Sequence, residues 1–274
     1  MNKNLVENYF KEYLENTKKG EEDYGTETML MVVQNKFNYD LGLDGKAINL
    51  KDAVSVKYKN LSDEKIRDEV FRRSYLYDAY KSKIKLTELY KLLQEAMDFY
   101  RNEKKKINDK NQSVEYQITH VIMGMLWVNT NKIKSNKNKN KKMIVDILIE
   151  IINKSEFSDL RTEAIYFLSL IEPSKIEDIW MIEIKEKINK EGYLQYYEKL
   201  KVIPKLNVNN AHHTALGVLA YYEYNVFNKR KLRDYEIIED FVNKSEIKKK
   251  SKLNVYMCVV LISIIFYLMY SLNN

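Results

Sequence analysis

The chain has little of what disulfide-stabilised and glycine-rich proteins use. Among its 274 residues are one cysteine, three histidines, seven glycines and two prolines. The single cysteine, Cys258, can form no disulfide within the chain, which fits a reducing compartment. Glycine and proline together make about 3% of the residues, whereas average usage is roughly 12%. The sequence therefore supports few tight turns and favours helices joined by short polar loops.

Motifs for the common reaction types are also missing. The sequence contains no Gly-x-Ser-x-Gly, no His-Glu-x-x-His, no cysteine pair and no glycine-rich phosphate loop. His212 and His213 are adjacent, and neighbouring helical side chains point about 100° apart, so the two cannot readily bind one metal ion. His120 lies among apolar residues, as a hydrogen-bonded core histidine does. We expect no catalytic site, no metal and no cofactor; a membrane-bound enzyme with an unrecognised site is the alternative.

One long apolar run is present near the end of the sequence. Val255 to Leu272 contains about 18 residues without a charge, and two asparagines follow it. At about 1.5 Å of rise per residue, a helix of this length spans roughly 27 Å, which matches a thin bilayer core. Buried core helices rarely exceed about 14 residues without a polar one. We therefore predict a transmembrane tail anchor over residues 253–272.

A cluster of lysines directly precedes this run: Lys248, Lys249, Lys250 and Lys252. The positive-inside bias keeps their side of the anchor, and with it the body of the chain, in the cytosol. Each such cation contributes about 1 kcal/mol near an anionic leaflet. The first 20 residues have no apolar stretch of seven, so they cannot form a secretory signal. We predict a single-pass membrane protein whose juxtamembrane segment, residues 245–252, contacts the anionic leaflet.

The net charge of +7 is concentrated in three segments. Residues 131–142, 229–233 and 244–252 carry +6, +4 and +4, which leaves −7 for the rest of the chain. No basic face with interleaved aromatic residues accompanies these lysines. We therefore expect no nucleic-acid partner. Residues 131–142, rich in Lys and Asn, are predicted to form a loop, because like charges repel and such a stretch buries little.

The remaining sequence predicts an all-α fold, an irregular helical bundle of two units over residues 1–130 and 143–244. The segments with helical periodicity are Leu5–Leu14, Thr26–Tyr39, Ser62–Lys81, Leu86–Tyr100, Val114–Val128, Met143–Ile152, Asp159–Ile171, Ser174–Lys190, Tyr193–Val202, Ala211–Asn228 and Asp234–Asn243. Ser62, Ser158 and Asn210 are predicted N-caps, and Ser174 with Glu177 a capping box.

Two of these regions carry further expectations. Gly42 and Gly45 mark turns, and Val54, Val56 and Tyr58 alternate as in a strand, so a short β-hairpin is predicted near residues 42–58. Val114 to Val128 is apolar on nearly every side, which places it at the centre of the N-terminal unit. Its length makes it the second candidate for a membrane segment.

The segment Asn209 to Tyr224, NNAHHTALGVLAYYEY, combines small residues with tyrosines. Small residues let another helix approach closely, and tyrosines provide large amphipathic surfaces. Two interpretations stay open: a tightly packed core helix, or an interaction surface for protein partners near the membrane. The candidate interaction residues are His212, His213, Gly217, Tyr221, Tyr222 and Tyr224.

The last quarter of the chain resembles a viral family in three features. These are the sequence His-His-Thr-Ala-Leu-Gly at residues 212–217, the tyrosine-rich helix after it, and the apolar tail some thirty residues later. This is the conserved C-terminally anchored membrane protein of baculoviruses and related arthropod large DNA viruses, entomopoxviruses included. The likeness covers about the last quarter of the chain, and the N-terminal half shows no match. The frequent Lys, Asn, Ile and Tyr suit an entomopoxvirus. The resemblance implies a role in virion assembly or envelopment, without catalysis.

We therefore expect a non-enzymatic protein that organises or recruits partners at a membrane. A Bcl-2-like regulator of membrane permeability or cell death is an alternative, because it also combines a bundle, a central apolar helix and a tail. However, Trp127 is followed by Val128 and Asn129, so the Asn-Trp-Gly-Arg groove motif is missing. A SNARE-like protein fits less well, since residues 234–252 do not continue an a/d heptad pattern into the membrane.

Overall fold

The computed structural model of the protein describes residues 1–17, 24–70, 73–103, 112–155, 158–198 and 201–230. Its elements follow in the order α1 (Lys3–Thr17), α2 (Tyr24–Phe37), α3 (Leu50–Lys57), α4 (Asp63–Val70), α5 (Ser74–Tyr80), α6 (Leu86–Glu103), α7 (Gln112–Lys134), α8 (Lys141–Lys154), α9 (Asp159–Ile171), a 3-10 turn (Pro173–Lys175), α10 (Asp178–Glu191), β1 (Tyr197–Glu198), β2 (Lys201–Val202) and α11 (208–230). The predicted all-α class is confirmed, because the two strands in these ranges have only two residues each.

The chain divides into two compact units, Met1–Tyr224 and Asn225–Asn274. Residues 225–230 are the described part of the second unit, and they are helical. In the first unit, one main core takes buried side chains from α1, α2 and the helices from α6 onward. The two predicted helical units therefore share this core. A smaller apolar cluster joins α3, α4 and α5 through Val54, Tyr58, Ile66, Leu76 and Tyr77.

Helix α7 occupies the centre of the first unit, as its apolar sequence predicts. It packs against α5, α6, α8 and α9, and Ile118, Val121 and Ile122 are fully buried. The helix is kinked at Asn129, whose backbone leaves the helical region and whose side-chain oxygen accepts a hydrogen bond of 2.9 Å from the backbone N–H of Lys132. Within the described residues, α7 included, we find no helix with the length and apolar character needed to cross a membrane.

The predicted hairpin near residues 42–58 is wrong, because Leu50–Lys57 forms helix α3. Asn49 caps this helix by accepting from the backbone N–H of Asp52, and the carboxylate of Asp52 accepts from the N–H of Ile48. The first bond satisfies one of the N–H groups that a helix start leaves unpaired, and the second fixes the residue before the cap. Val54 and Tyr58 fit the alternating pattern of a strand, but they are also about one helical turn apart. Both are buried, as residues on the inner side of a helix are.

The predicted short helix Tyr193–Val202 is also wrong, since this segment contains the hairpin of β1 and β2. Gly192 ends α10 with a left-handed backbone, φ 81°. Beyond it, the Asn210 side-chain oxygen accepts a hydrogen bond of 2.6 Å from the N–H of Tyr196. Gln195 donates from its side chain to the carbonyl oxygen of Ile203. Side chains therefore bind the backbone groups that a helix would pair internally.

Three local predictions near helix ends need correction. The predicted helix over residues 62–81 is divided into α4 and α5, and α5 begins after Arg73, whose backbone is extended. The predicted capping box is absent: Ser174 lies in the 3-10 turn, where its hydroxyl donates to the carboxylate of Glu172. The predicted loop at 131–142 is shorter, because α7 continues to Lys134 and α8 begins at Lys141. Ile133 is fully buried, so this segment contributes to the core.

The predicted anchor over 253–272, the basic segment 245–252 and the helix Asp234–Asn243 lie outside the described residues. Their assignments stay predictions from the sequence. The candidate lysines Lys248, Lys249, Lys250 and Lys252 belong to this part of the chain.

Candidate functional site

The structure separates the six candidate interaction residues of α11 into buried and half-buried groups. His213 is fully buried, and so are the other residues from Asn210 to Ala220 except His212. His212, Tyr221, Tyr222 and Tyr224 are half-buried. The first half of α11 thus has the character of a packed core helix, and the tyrosines after Ala220 retain access to solvent.

Gly217 lies where α11 approaches the rest of the core most closely. A Cβ atom at this position would be 2.6 Å from Cδ1 of Leu194 and 3.3 Å from Cγ2 of Ile184. The absence of a side chain therefore permits the contact between α11, α10 and the segment after α10. Gly217 therefore allows close packing, as expected for a small residue, and its contacts lie within the protein itself.

Asn210 does not cap α11 as predicted, because the helix begins at residue 208 and includes it. Asn207 precedes the helix, and its side-chain oxygen accepts from the backbone N–H of Asn209 at 2.9 Å. Asn210 is fully buried and donates from Nδ2 to the carbonyl oxygens of Pro204 and Lys205. Its amide therefore joins α11 to the hairpin segment.

The half-buried tyrosines connect α11 to α2 and α10. The ring of Tyr222 makes an edge contact with Phe37, with centroids 5.5 Å apart, and the ammonium of Lys36 lies 4.5 Å from its centre. The hydroxyl of Tyr224 donates to the carboxylate of Asp178 at the start of α10. These contacts place the edges of the two tyrosines at the boundary between core and solvent.

Histidines of α7 and α11 lie beside two neighbouring residues of α9, Thr162 and Glu163. Nε2 of His213 is 2.8 Å from the hydroxyl of Thr162 on α9. His120 on α7 lies 3.8 Å, Nε2 to Oε1, from Glu163 on α9. His212 is close enough that a positive charge on it lowers the pKa of both His120 and His213. We name His120, Glu163, Thr162, His212 and His213 the histidine–glutamate cluster.

Glu163 is the chemically unusual member of this cluster. Its side chain is 6% exposed, and burial, with the nearby Asp159 carboxylate as a second cause, raises the pKa of the Glu163 carboxyl to about 8. The hydroxyl of Thr119 lies 3.2 Å from Oε2 of Glu163 and 3.1 Å from the carbonyl oxygen of Tyr116. A hydroxyl has one proton to donate. A protonated Glu163 can donate to Thr119, which then donates to Tyr116.

The imidazoles of His120 and His213 are kept neutral by the same physical effect. Burial lowers the pKa of His213 to about 3, and burial together with the positive charges of Arg73 and His212 lowers the pKa of His120 to about 4. At neutral pH the cluster therefore contains a protonated carboxyl beside an uncharged imidazole whose side chain is 33% exposed. Such a pair can transfer a proton to or from a bound group.

The sequence provides one signal for Glu163 that periodicity can detect. It lies three residues after Leu160 and four before Phe167, both buried, so helical spacing places the carboxyl on the core side of α9. Nothing in the sequence connects it with His120 or His213, which are 43 and 50 residues away in the numbering. Across the described ranges, no group of three His, Cys, Asp or Glu side chains is placed to bind a metal ion.

Comparison with known proteins yields no relative from which a role can be transferred. No protein-family model, no curated protein and no solved structure matches the chain.

Proposed function

We propose that the protein is a non-enzymatic, membrane-anchored helical protein whose body, Met1–Tyr224, recruits or organises protein partners on the cytosolic side of a membrane. The observation that carries this proposal is the uncharged run from Val255 to Leu272 with four lysines directly before it. A run of this length matches a bilayer core, and lysines beside it favour anionic headgroups.

The partner surface is proposed to lie where α11 meets the start of α10. Ile179 and Ile182 are three residues apart on α10, hence on one side of the helix, and are 61% and 46% exposed. Asp178, next to Ile179, binds the hydroxyl of Tyr224. We name Ile179, Ile182 and Tyr224 the isoleucine–tyrosine surface. Adjacent exposed apolar side chains with an amphipathic tyrosine are typical of protein contacts.

The membrane part of the proposal is tested by flotation. The full chain is compared with a chain lacking residues 255–274, with vesicles of neutral and of anionic lipid. The full chain should float with both kinds of vesicle and resist extraction by high salt, whereas the shortened chain should stay in the soluble fraction. A shortened chain that still floats after a high-salt wash would show that another segment binds the membrane.

The partner part is tested by co-purification from cells that express the full chain. Ile179→Lys combined with Ile182→Lys should remove partners that the unchanged chain retains. The matched control is Phe99→Lys combined with Ile48→Lys, which places the same two charges at apolar side chains 44% and 66% exposed elsewhere in the fold. Equal loss of partners from both variants, or no loss from either, contradicts this surface. The resemblance of residues 212–217 to the viral family adds the proposal that the process is virion assembly or envelopment.

A second candidate function is catalysis, and the histidine–glutamate cluster is the observation that favours it. A protonated carboxyl beside a neutral imidazole is a pair suited to general acid–base chemistry. Activity against a substrate panel that is lost in Glu163→Gln and in His120→Gln, with unchanged helix content, would establish this candidate. Activity equal in the variants and the unchanged chain would exclude the cluster as its source.

A further inference from the structure

An open cavity of about 310 Å³ lies in the first unit between α2, α3, α7, α9 and α11. Its floor is apolar and largely aromatic, with Leu126, Tyr166 and Phe167 buried and Trp127 half-buried. This volume is at the lower end of the range that small-molecule sites occupy, roughly 300–1,000 Å³. The cavity does not include any member of the histidine–glutamate cluster.

The rim of the cavity carries an excess of positive charge. Four charged side chains line it: Lys36, Lys51, Lys134 and Glu223. Lys36 and Glu223 form an ion pair of 2.7 Å with each other, so this pair contributes no net charge. Lys51 and Lys134 are the other two charged side chains of the lining, and both are cations at neutral pH.

Lys51 is the cation that an anionic ligand would stabilise most. Its Nζ donates to the hydroxyl of Ser82 at 3.0 Å and to the carbonyl oxygen of Trp127 at 2.9 Å, and both acceptors are uncharged. No carboxylate of the described residues lies within ion-pair distance of this ammonium group. Burial lowers the pKa of Lys51, as expected for an ammonium group that lacks a counterion.

The kink of α7 contributes to this arrangement. Asn129 interrupts the helix between Trp127 and Thr130, two residues that line the cavity. Lys51 comes from the first turn of α3, so its bond to the Trp127 carbonyl holds α3 against the kinked part of α7. The ammonium and the apolar floor are thereby kept next to each other.

We infer that this cavity binds a small organic anion, a carboxylate or phosphate ester with an aromatic or other apolar body, whose charged head contacts Lys51 and whose body lies against the half-buried Trp127. Charge complementarity selects the anion, because the apolar floor alone would accept a neutral body equally well. Aromatic side chains provide large contact areas for such a body. This site is independent of the proposed membrane role, since all of its residues lie in Met1–Tyr224.

The test uses the full chain in lipid nanodiscs, with empty nanodiscs as the reference, and calorimetric titration of three probes. These probes are 2-naphthoate, its neutral isostere 2-naphthamide, and acetate as the head group alone. We expect 2-naphthoate to bind at least tenfold more tightly than either of the others. Equal affinity for the amide, or no binding of 2-naphthoate above the empty discs, overturns the inference.

Variants separate the site from unspecific attraction. Lys51→Met should weaken 2-naphthoate binding at least tenfold, whereas Lys51→Arg retains the charge and should retain most of the affinity. Lys91→Met removes the same charge at a side chain 80% exposed on α6, and it should bind as the unchanged chain does. Leu170→Trp, which fills the cavity without altering charge, should also abolish binding. Unchanged binding in Leu170→Trp overturns the inference even if Lys51→Met fails to fold.

Discussion

Nε2 of His120 lies 3.8 Å from Oε1 of Glu163, so a half-buried histidine of α7 and a buried carboxyl of α9 lie side by side. Burial shifts the two pKa values in opposite directions, down to about 4 for His120 and up to about 8 for Glu163. Both side chains are therefore uncharged at neutral pH. The neutral forms avoid the free-energy cost of removing two charged groups from water. The same condition makes the stability of the protein depend on pH.

Glu163→Gln should remove part of that pH dependence. Because the folded-state pKa of Glu163 is raised from 4.5 to about 8, the folded chain binds the proton more tightly than the unfolded one. Below pH 4.5 the carboxyl is protonated in both the folded and the unfolded chain and does not reduce stability. Above pH 4.5 the free energy of unfolding falls as the pH rises toward 8. Each pKa unit corresponds to about 1.4 kcal/mol, so the loss amounts to a few kcal/mol. Thermal unfolding of the full chain in micelles, followed at pH 5.5 and 8.5, measures it.

The stability of Glu163→Gln is compared with that of the unchanged chain at each pH. The difference in favour of the variant should be clearly larger at pH 8.5 than at pH 5.5. The control is Glu186→Gln, which makes the same substitution at an exposed carboxyl on α10. Parallel profiles for all three proteins would mean that Glu163 is ionised in the folded state.

His213 should make the protein sensitive to acid. Its folded-state pKa, about 3, lies below the ordinary 6.5, so the unfolded chain binds the proton more tightly. Stability from this group is complete above pH 6.5 and is lost as the pH falls toward 3. His213→Gln, which retains a polar partner for Thr162, should flatten the profile between pH 6.5 and 4. Circular dichroism during acid titration records the change, and an unaltered profile contradicts it.

Thr162→Val should destabilise the protein at neutral pH through the same contact. The substitution conserves shape but removes the hydroxyl that lies 2.8 Å from Nε2 of His213. An imidazole nitrogen that loses its partner in a buried place costs about 1–3 kcal/mol. The melting temperature should fall by about 2–4 °C for each kcal/mol. In combination with His213→Leu, which has no polar atom to bind the hydroxyl, the loss should be smaller than the sum of the two single losses, and strict additivity would show that the two residues do not interact.

Gly124 and Gly217 offer a matched pair, since both are interior positions of buried helices. Alanine favours a helix over glycine by about 1 kcal/mol. At Gly124 the new Cβ would be 3.4 Å from Cβ of Ala79, an acceptable contact, so Gly124→Ala should raise the melting temperature or leave it unchanged. At Gly217 the Cβ would be 2.6 Å from Leu194, and overpacking costs about 1–3 kcal/mol. Gly217→Ala should therefore lower it, and a rise in both variants would contradict the close packing of α11.

Asn210→Ala should loosen the hairpin of β1 and β2. The amide of Asn210 binds the backbone N–H of Tyr196 and two carbonyl oxygens of the segment before α11. Removing it leaves part-buried groups unpaired, at about 1–3 kcal/mol. Asn209→Ala changes an exposed neighbour and serves as the control. Hydrogen exchange of the Tyr196 backbone N–H should accelerate only in Asn210→Ala. Equal exchange rates in both variants would show that Asn210 does not stabilise the hairpin.

Local patterns predicted the elements whose ends are set by neighbouring residues. The cap of α9 is an example, because Ser158 accepts from the N–H of Arg161 three residues later. The start of α3 also has a local signal, since Asn49 is a favoured N-cap residue and accepts from the N–H of Asp52 three residues later. The hairpin at residues 197–202 could not, because the backbone just before β1 is bound by the side chain of Asn210, which belongs to helix α11.

The sequence by itself determined the all-α class, the central position of α7, the concentration of positive charge in three segments and the prediction of a membrane anchor. Each of these follows from composition and from periodicity along one stretch of chain. Only the tertiary structure decided that Glu163 meets His120 and that Lys51 meets the kinked part of α7. The physical reason is that burial and charge at these atoms depend on helices far apart in sequence, and their packing sets the dielectric environment, the pKa values and the shape of the cavity.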